Sequence, residues 1–239
     1  MSTYVLIHGA WHTGDELADV AIRIRAAGHE VHTPTLAGNR PGDPKTVSLK
    51  EAVQSAISFI EENNLNDFIL LGHSYGGMII SGVVDQIPDR IRRLIYWNAF
   101  VPENGECIND LVPPHYVALF EANTAEDSSV MLPFPVWREA FINDADLATA
   151  ESAFARLNPH PVRTFNDKIE LKKSLSDVQI GKSYLNAQED IAMPHSLPWH
   201  PRMSEKLGLF RLVQMPGSHE VCFSNTGLLA EKIMEAGRD

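Results

Sequence analysis

Along the first hundred residues, short apolar runs alternate with stretches whose apolar positions recur at helical spacing. Tyr4 to Ile7 is an apolar run that ends at Gly9 and reads as a buried strand. Leu17, Val20, Ala21 and Ile24 share one helix face between about residues 15 and 27, and Ala27-Gly28 closes it. His29 to Thr33 reads as a strand stopped by Pro34. Ser48 then caps a helix whose apolar face is Leu49, Val53, Ala56, Ile57 and Ile60, with Glu51 at the third helical position as in a capping box. A strand at Phe68 to Leu71, a helix through Met78 to Val84 and a strand at Ile91 to Trp97 follow. This rhythm predicts βαβ units, and so a mostly parallel sheet with helices on both faces.

The pattern breaks between about residues 102 and 180. Pro102, Pro113, Pro114, Pro133, Pro135, Pro159 and Pro161 cluster there, interleaved with Tyr116, Phe120, Phe134, Trp137, Phe141 and Phe154. One helix is expected through Glu139 to Leu157. The rhythm then resumes with a strand at Ser183 to Ala187, a helix near Pro201 to Lys206, a strand at Leu209 to Met215 and a last helix from Ser224 to Ala236. The expected organisation is therefore a six-stranded α/β core from residues 1–102 and 181–239, with 103–180 inserted as a cap over the sheet rather than as a second domain.

Composition narrows the function classes. The 239 residues suffice for one domain with a sizeable core. A net charge of -11 argues against nucleic acid and against anionic membrane surfaces as partners. No run reaches the length of a membrane span, and the N-terminus lacks a basic segment before its short apolar run. The two cysteines, Cys107 and Cys222, have no metal-ligand or Cys-x-x-Cys spacing, so a reducing, cytoplasmic compartment is expected.

The chemistry concentrates at Gly72-His73-Ser74-Tyr75-Gly76, which fits G-x-S-x-G between a strand-like and a helix-like run. A strand that turns abruptly into a helix at a serine strains that serine's backbone. The residues two before and two after must be small for the chain to pass itself. The hydroxyl is then held at the C-terminal edge of the sheet, above a helix N-terminus whose amides favour an oxyanion. Ser74 is thus the expected nucleophile.

A serine hydroxyl needs a base, and on such a scaffold an acid and then a histidine follow it in the chain. Of the ten histidines, only His219 lies between the last strand and the last helix. Glu189 and Asp190 both follow the strand Ser183 to Ala187. Asp190 is favoured because Ile191-Ala192-Met193-Pro194 lets the chain turn away after it. Its role would be to hold the imidazole tautomer and stabilise the imidazolium.

These segments carry a resemblance. His8-Gly9-Ala10-Trp11-His12, Ala27-Gly28-His29-Glu30-Val31, Gly72 to Met78, Tyr96 to Pro102, Glu189-Asp190 before a proline and Ser218-His219 together resemble the α/β-hydrolase family that holds plant methylesterases, hydroxynitrile lyases and bacterial small-molecule esterases. The resemblance spans nearly all of the chain. It implies the α/β-hydrolase fold, Asp190 as the acid, and an oxyanion hole from the backbone N–H groups of Ala10 and Tyr75. Hydroxynitrile lyases of this type have a threonine after the first histidine and a lysine after the catalytic one. Gly9 and Glu220 stand there instead, so cyanogenic lyase chemistry is disfavoured. Bacterial relatives often carry an aspartate near the end of the fourth strand. Asn98 removes that alternative acid.

Trp11, Leu111, Phe120, Phe134 and Trp137, together with Tyr75, are candidate walls of a substrate pocket, and His12 is a further possible lining residue. His8 and His73 are expected to brace the oxyanion segments rather than to react. His195 and His200 near Glu189 and Asp190 have no zinc spacing, so no metal is expected. No phosphate loop follows Gly76-Gly77, and no cofactor is expected. The sequence therefore points to a serine hydrolase that cleaves a small apolar or aromatic carboxylic ester through an acyl-enzyme. Amide or lactone hydrolysis, and cofactor-free lyase or dioxygenase chemistry on the His–Asp pair, remain as alternatives. The partner is a small-molecule substrate, and a homodimer is left open.

Overall fold

Phe68–His73 is a run of six residues without one exposed position, and such a strand belongs in the middle of a parallel sheet covered on both faces. The computed structural model describes residues 1–239 and places it there. In chain order the strands are β1 (Thr3–Ile7), β2 (Glu30–His32), β3 (Phe68–His73), β4 (Ile91–Trp97), β5 (Ser129–Val130), β6 (His160–Pro161), β7 (Gly181–Ala187) and β8 (Arg211–Met215). Six of them form one sheet in the order β2-β1-β3-β4-β7-β8, and every pair in it is parallel. The expected mostly parallel sheet is thus wholly parallel, in the α/β-hydrolase arrangement.

Alternation along the strands divides the core into two layers. Tyr4, Leu6, Ile69, Leu71, Ile95 and Trp97 face the layer formed with α1 (Ala18–Ala26) and the C-terminal helix Thr226–Ala236. Val5, Ile7, Leu70, Leu94 and Tyr96 face the larger layer formed with α2 (Leu49–Glu62) and α3 (Gly76–Gln86). The capping box that begins α2 is present, with Ser48 and Glu51 each bonded to the other's backbone. No helix is long and apolar enough to cross a membrane.

The chain between β4 and β7 packs on the larger layer. It contains a helix at Pro114–Ala122, the antiparallel pair β5–β6 and a helix at Leu147–Phe154. The single helix expected over Glu139 to Leu157 does not form. Trp137–Phe141 is one π-helical turn, and Asp146 restarts the chain by accepting a hydrogen bond from Thr149 N–H. The break has a use. The Phe141 carbonyl accepts from Glu220 N–H at 3.1 Å, and Asp144 Oδ2 accepts from Ser218 N–H at 3.1 Å. Residues that a continuous helix would have engaged internally instead hold the loop around His219.

Candidate active site

The turn from β3 into α3 is where the backbone is strained. Ser74 has φ +55°, a left-handed conformation that costs a non-glycine residue about 1–2 kcal/mol. The crowding explains its neighbours. A Cβ on Gly72 would lie 2.5 Å from the Gly76 carbonyl oxygen, and one on Gly76 would lie 2.8 Å from that of His8. The strained peptide is pinned by Ser74 N–H donating to the Trp97 carbonyl at 3.2 Å, and by the Ser74 carbonyl accepting from Gly77 and Phe100.

His219 follows β8, and its Nδ1 lies 2.6 Å from Asp190 Oδ2. Both side chains are buried. The other Asp190 oxygen accepts from Ala192 N–H at 2.8 Å, so the chain turning away after Asp190 also fixes its carboxylate. Glu189 is placed differently. Its Oε2 accepts from Gly217 N–H at 3.2 Å and braces the loop before His219.

Burial pulls the His219 imidazole towards its neutral form, but the Asp190 carboxylate outweighs this and holds its pKa above the ordinary histidine value. The ring is clamped by Trp199, stacked at 5.3 Å and 13°, and by Phe141, edge-on at 5.3 Å. His219 Nε2 has no hydrogen-bond partner within the protein, and it belongs to the same cavity wall as Ser74.

Ala10 and Tyr75 line that cavity too, and neither backbone N–H donates to any protein acceptor. The Ala10 amide is aimed by His8. Its Nε2 accepts from Leu36 N–H at 3.1 Å, so the remaining proton sits on Nδ1, which donates to the Gly9 carbonyl at 2.8 Å. That carbonyl and the Ala10 N–H are opposite ends of one peptide group. Burial pushes the His8 pKa down to about 4, which keeps the ring neutral for this role. His73 stacks on Trp97 at 3.8 Å and its Nε2 donates to the His219 carbonyl at 3.0 Å. Both histidines brace the segments that flank the site, as their sequence positions suggest.

Apart from Ser74 and His219, hydrophobic residues line the cavity. Trp11, Tyr75 and Phe120 line it as expected. Leu111, Phe134 and Trp137 do not. Leu111 is buried away from the cavity, with its carbonyl accepting from Arg202. Phe134 packs edge-on against Phe154 at 5.2 Å. Trp137 is fully buried, and its indole N–H donates to the Ala150 carbonyl at 3.2 Å. These side chains pack into the larger hydrophobic layer away from the cavity, Trp137 against His12 and Phe223. Tyr116, Phe141, Phe165, Met193, Trp199 and Phe100 take the wall positions instead. His12 does not line the cavity, and it lies 3.1 Å from Glu220 Oε2.

Asn98 is a further residue of the site that its sequence position does not reveal. Its Nδ2 donates to Asp190 Oδ2 at 2.5 Å, while its Oδ1 accepts from Ala187 N–H at 2.6 Å. His73, His219 and Glu220 bring possible metal-ligand atoms within 4.8 Å of one another, but His73 already serves the His219 carbonyl and Glu220 already faces His12.

Residues 4–226 match the model of the alpha/beta hydrolase family. The chain belongs to this family. It is 33% identical to the carbendazim hydrolyzing esterase of Nocardioides sp. (strain SG-4G), over 99% of this chain and 100% of that protein. It is 28% identical to the pyrethroid hydrolase of Sphingobium wenxiniae (strain DSM 21828 / CGMCC 1.7748 / JZ-1), over 97% of this chain and 86% of that one. Among solved structures, an extracellular alpha/beta-hydrolase from a Paenibacillus species, described as sharing structural and functional homology with tobacco salicylic acid binding protein 2, superposes with a TM-score of 0.96. It is 37% identical, and each chain is covered in full. This alpha/beta hydrolase is accordingly a carboxylic ester hydrolase.

Proposed function

We propose that this hydrolase cleaves small, uncharged esters with an apolar or aromatic body, using Ser74 as nucleophile, His219 as base, Asp190 as its orienting acid and the Ala10 and Tyr75 amides as oxyanion donors. The observation that carries the reading is the pairing of His219 Nδ1 with buried Asp190, which leaves Nε2 as the one unpartnered nitrogen of the ring on the cavity wall beside Ser74. Nε2 takes the proton as Ser74 Oγ attacks the carbonyl carbon. The charge that moves to the carbonyl oxygen is met by the two amide N–H groups, each such donor lowering the barrier by roughly 3 kcal/mol. His219 then returns its proton to the departing alcohol, and water repeats the sequence on the acyl-enzyme.

The substrate class follows from the wall. Aromatic and aliphatic side chains surround the serine, and none of the lining residues carries a permanent charge. A free carboxylate or phosphate on the substrate would be buried there without a partner. The test is turnover of a panel of neutral methyl, alkyl and aryl esters, carbendazim, a pyrethroid, amides, lactones and carboxylate-bearing ester analogues. Neutral esters should exceed their anionic analogues by at least about tenfold in kcat/KM. Preference for the anionic analogues, or amide turnover without ester turnover, would overturn the proposal.

A further inference from the structure

Glu220 and His12 lie outside the cavity wall, yet each is a near neighbour in sequence of a proposed catalytic group. Glu220 follows His219, and His12 lies two residues beyond Ala10. They meet at 3.1 Å between Glu220 Oε2 and His12 Nε2, with both side chains at least nine-tenths buried. His12 Nδ1 lies 2.7 Å from the Ala10 carbonyl. The two ring nitrogens therefore face a carbonyl and a carboxylate, and Nε2 meets the carboxylate as a close charge contact without a well-aligned hydrogen bond. Across that 3.1 Å contact the Glu220 carboxylate favours the protonated ring, which makes the contact an ion pair.

We infer that the buried His12–Glu220 ion pair is a positioning strut that sets the Ala10 oxyanion segment relative to the His219 loop, and that it holds only while His12 is protonated. The inference rests on Ala10 and His219 having the roles proposed above.

The segment needs such a hold. Trp11, between Ala10 and His12, has φ +64°, a conformation an unconstrained tryptophan avoids. It is fixed from outside by its indole N–H on the Val130 carbonyl at 3.0 Å and by Asn158 N–H on its own carbonyl at 2.7 Å. His12 adds the contact from the catalytic side. The Glu220 end is fixed as well, since its N–H donates to the Phe141 carbonyl and the Cys222 thiol donates to its Oε2 at 3.7 Å.

The charged and titratable groups facing His12 are Glu220, Glu16, His8, His73, His160 and His219. Glu16 is committed elsewhere, to Thr13 and to Arg156. The uncharged faces are covered by Phe223, stacked at 5.9 Å, and by Trp137. Burial disfavours the charged ring, but Glu220 prevails and the His12 pKa is raised. A histidine raised in the folded state contributes its stability in full below its unfolded pKa and loses it as pH rises through the folded value. Above that value a lone pair on Nε2 faces the carboxylate, and the strut parts. Activity should therefore fall on the alkaline side, in kcat more than in KM, because the oxyanion donors act on the transition state.

The decisive comparison is Glu220→Gln with the wild type, in kcat and KM across pH with a neutral aryl ester. A glutamine amide can donate to the neutral ring, so the strut survives deprotonation. Glu220→Gln should lose the alkaline fall, with kcat at its optimum within about tenfold of wild type. Its acidic limb should move to lower pH, because a carboxylate near His219 is gone. His12→Ala should lower kcat about 10- to 100-fold with KM within about threefold, less than the 10²–10³ of losing an oxyanion donor outright. A Glu220→Gln enzyme with an unchanged alkaline limb, or with its loss confined to KM, overturns the strut. His12→Ala leaves a buried carboxylate unpaired and can fail to fold, and Glu220→Gln then decides alone. Ser74 labelling by a fluorophosphonate, read on each variant, separates this outcome from failure of the nucleophile assignment, which would abolish labelling in the wild type too.

Discussion

Asn98 Nδ2 donates to Asp190 Oδ2, the same oxygen that lies 2.6 Å from His219 Nδ1. Asn98 sits just beyond β4 with φ +35° and is fully buried, tied to Ala187 through both its amide oxygen and its amide nitrogen. Three adjacent strand ends, those of β4, β7 and β8, thereby fix one carboxylate oxygen. Asn98→Ala should lower kcat by about 10- to 100-fold, with little change in KM, because the imidazole loses its fixed partner. Asn98→Asp should be worse near neutral pH. It sets a second carboxylate against Asp190, and two like charges at that distance raise one pKa and hold a proton between them. Steady-state kinetics on the two variants check both statements.

Asp190→Asn should lower kcat by about 10⁴, since an amide favours the wrong imidazole tautomer. The wild-type pH profile carries a related expectation. His219 must be neutral to accept the Ser74 proton, and its pKa is raised by Asp190 against the pull of burial. Activity should therefore rise with pH through a midpoint above the ordinary histidine value of about 6.5. In Asp190→Asn the opposing carboxylate is gone and burial dominates, so the residual activity should titrate at lower pH. A pH–kcat/KM profile of both proteins reads the shift.

Two glycines separate steric from conformational cost. A Cβ on Gly77 would stand 2.1 Å from the Phe100 carbonyl oxygen and 2.9 Å from its nitrogen, both backbone atoms. Gly77→Ala should cost about 3 kcal/mol or more, because the backbone that follows β4 would have to move. Gly28 has φ +88° and open space around a Cβ. Gly28→Ala should cost only about 1–2 kcal/mol of strain. Chemical denaturation midpoints of the two variants should differ in that order.

Much of this was legible in the sequence for identifiable reasons. The central strands β1, β3 and β4 appear because buried parallel strands are largely apolar runs, and α2 appears because Ser48 and Glu51 announce it. Ser74, His219 and Asp190 follow from a strained turn, a loop position and chain order. Leu111, Phe134 and Trp137 mislead because an apolar side chain can face either the cavity or the surrounding hydrophobic layer, and spacing does not say which. Asn98 reads only as the absence of an acid, although its amide is what holds the acid in place. Glu220 reads only as the absence of a lysine. Its partner His12 is 208 residues away, and only the fold brings them together.

The most direct test of the account is intact-protein mass spectrometry after exposure to a fluorophosphonate, with peptide mapping of the adduct. One adduct per chain is expected, located on Ser74, with loss of ester hydrolysis in proportion to labelling, and with neither labelling nor hydrolysis in Ser74→Ala. Full esterase activity in Ser74→Ala, or an adduct on another residue that tracks the loss of activity, would contradict it.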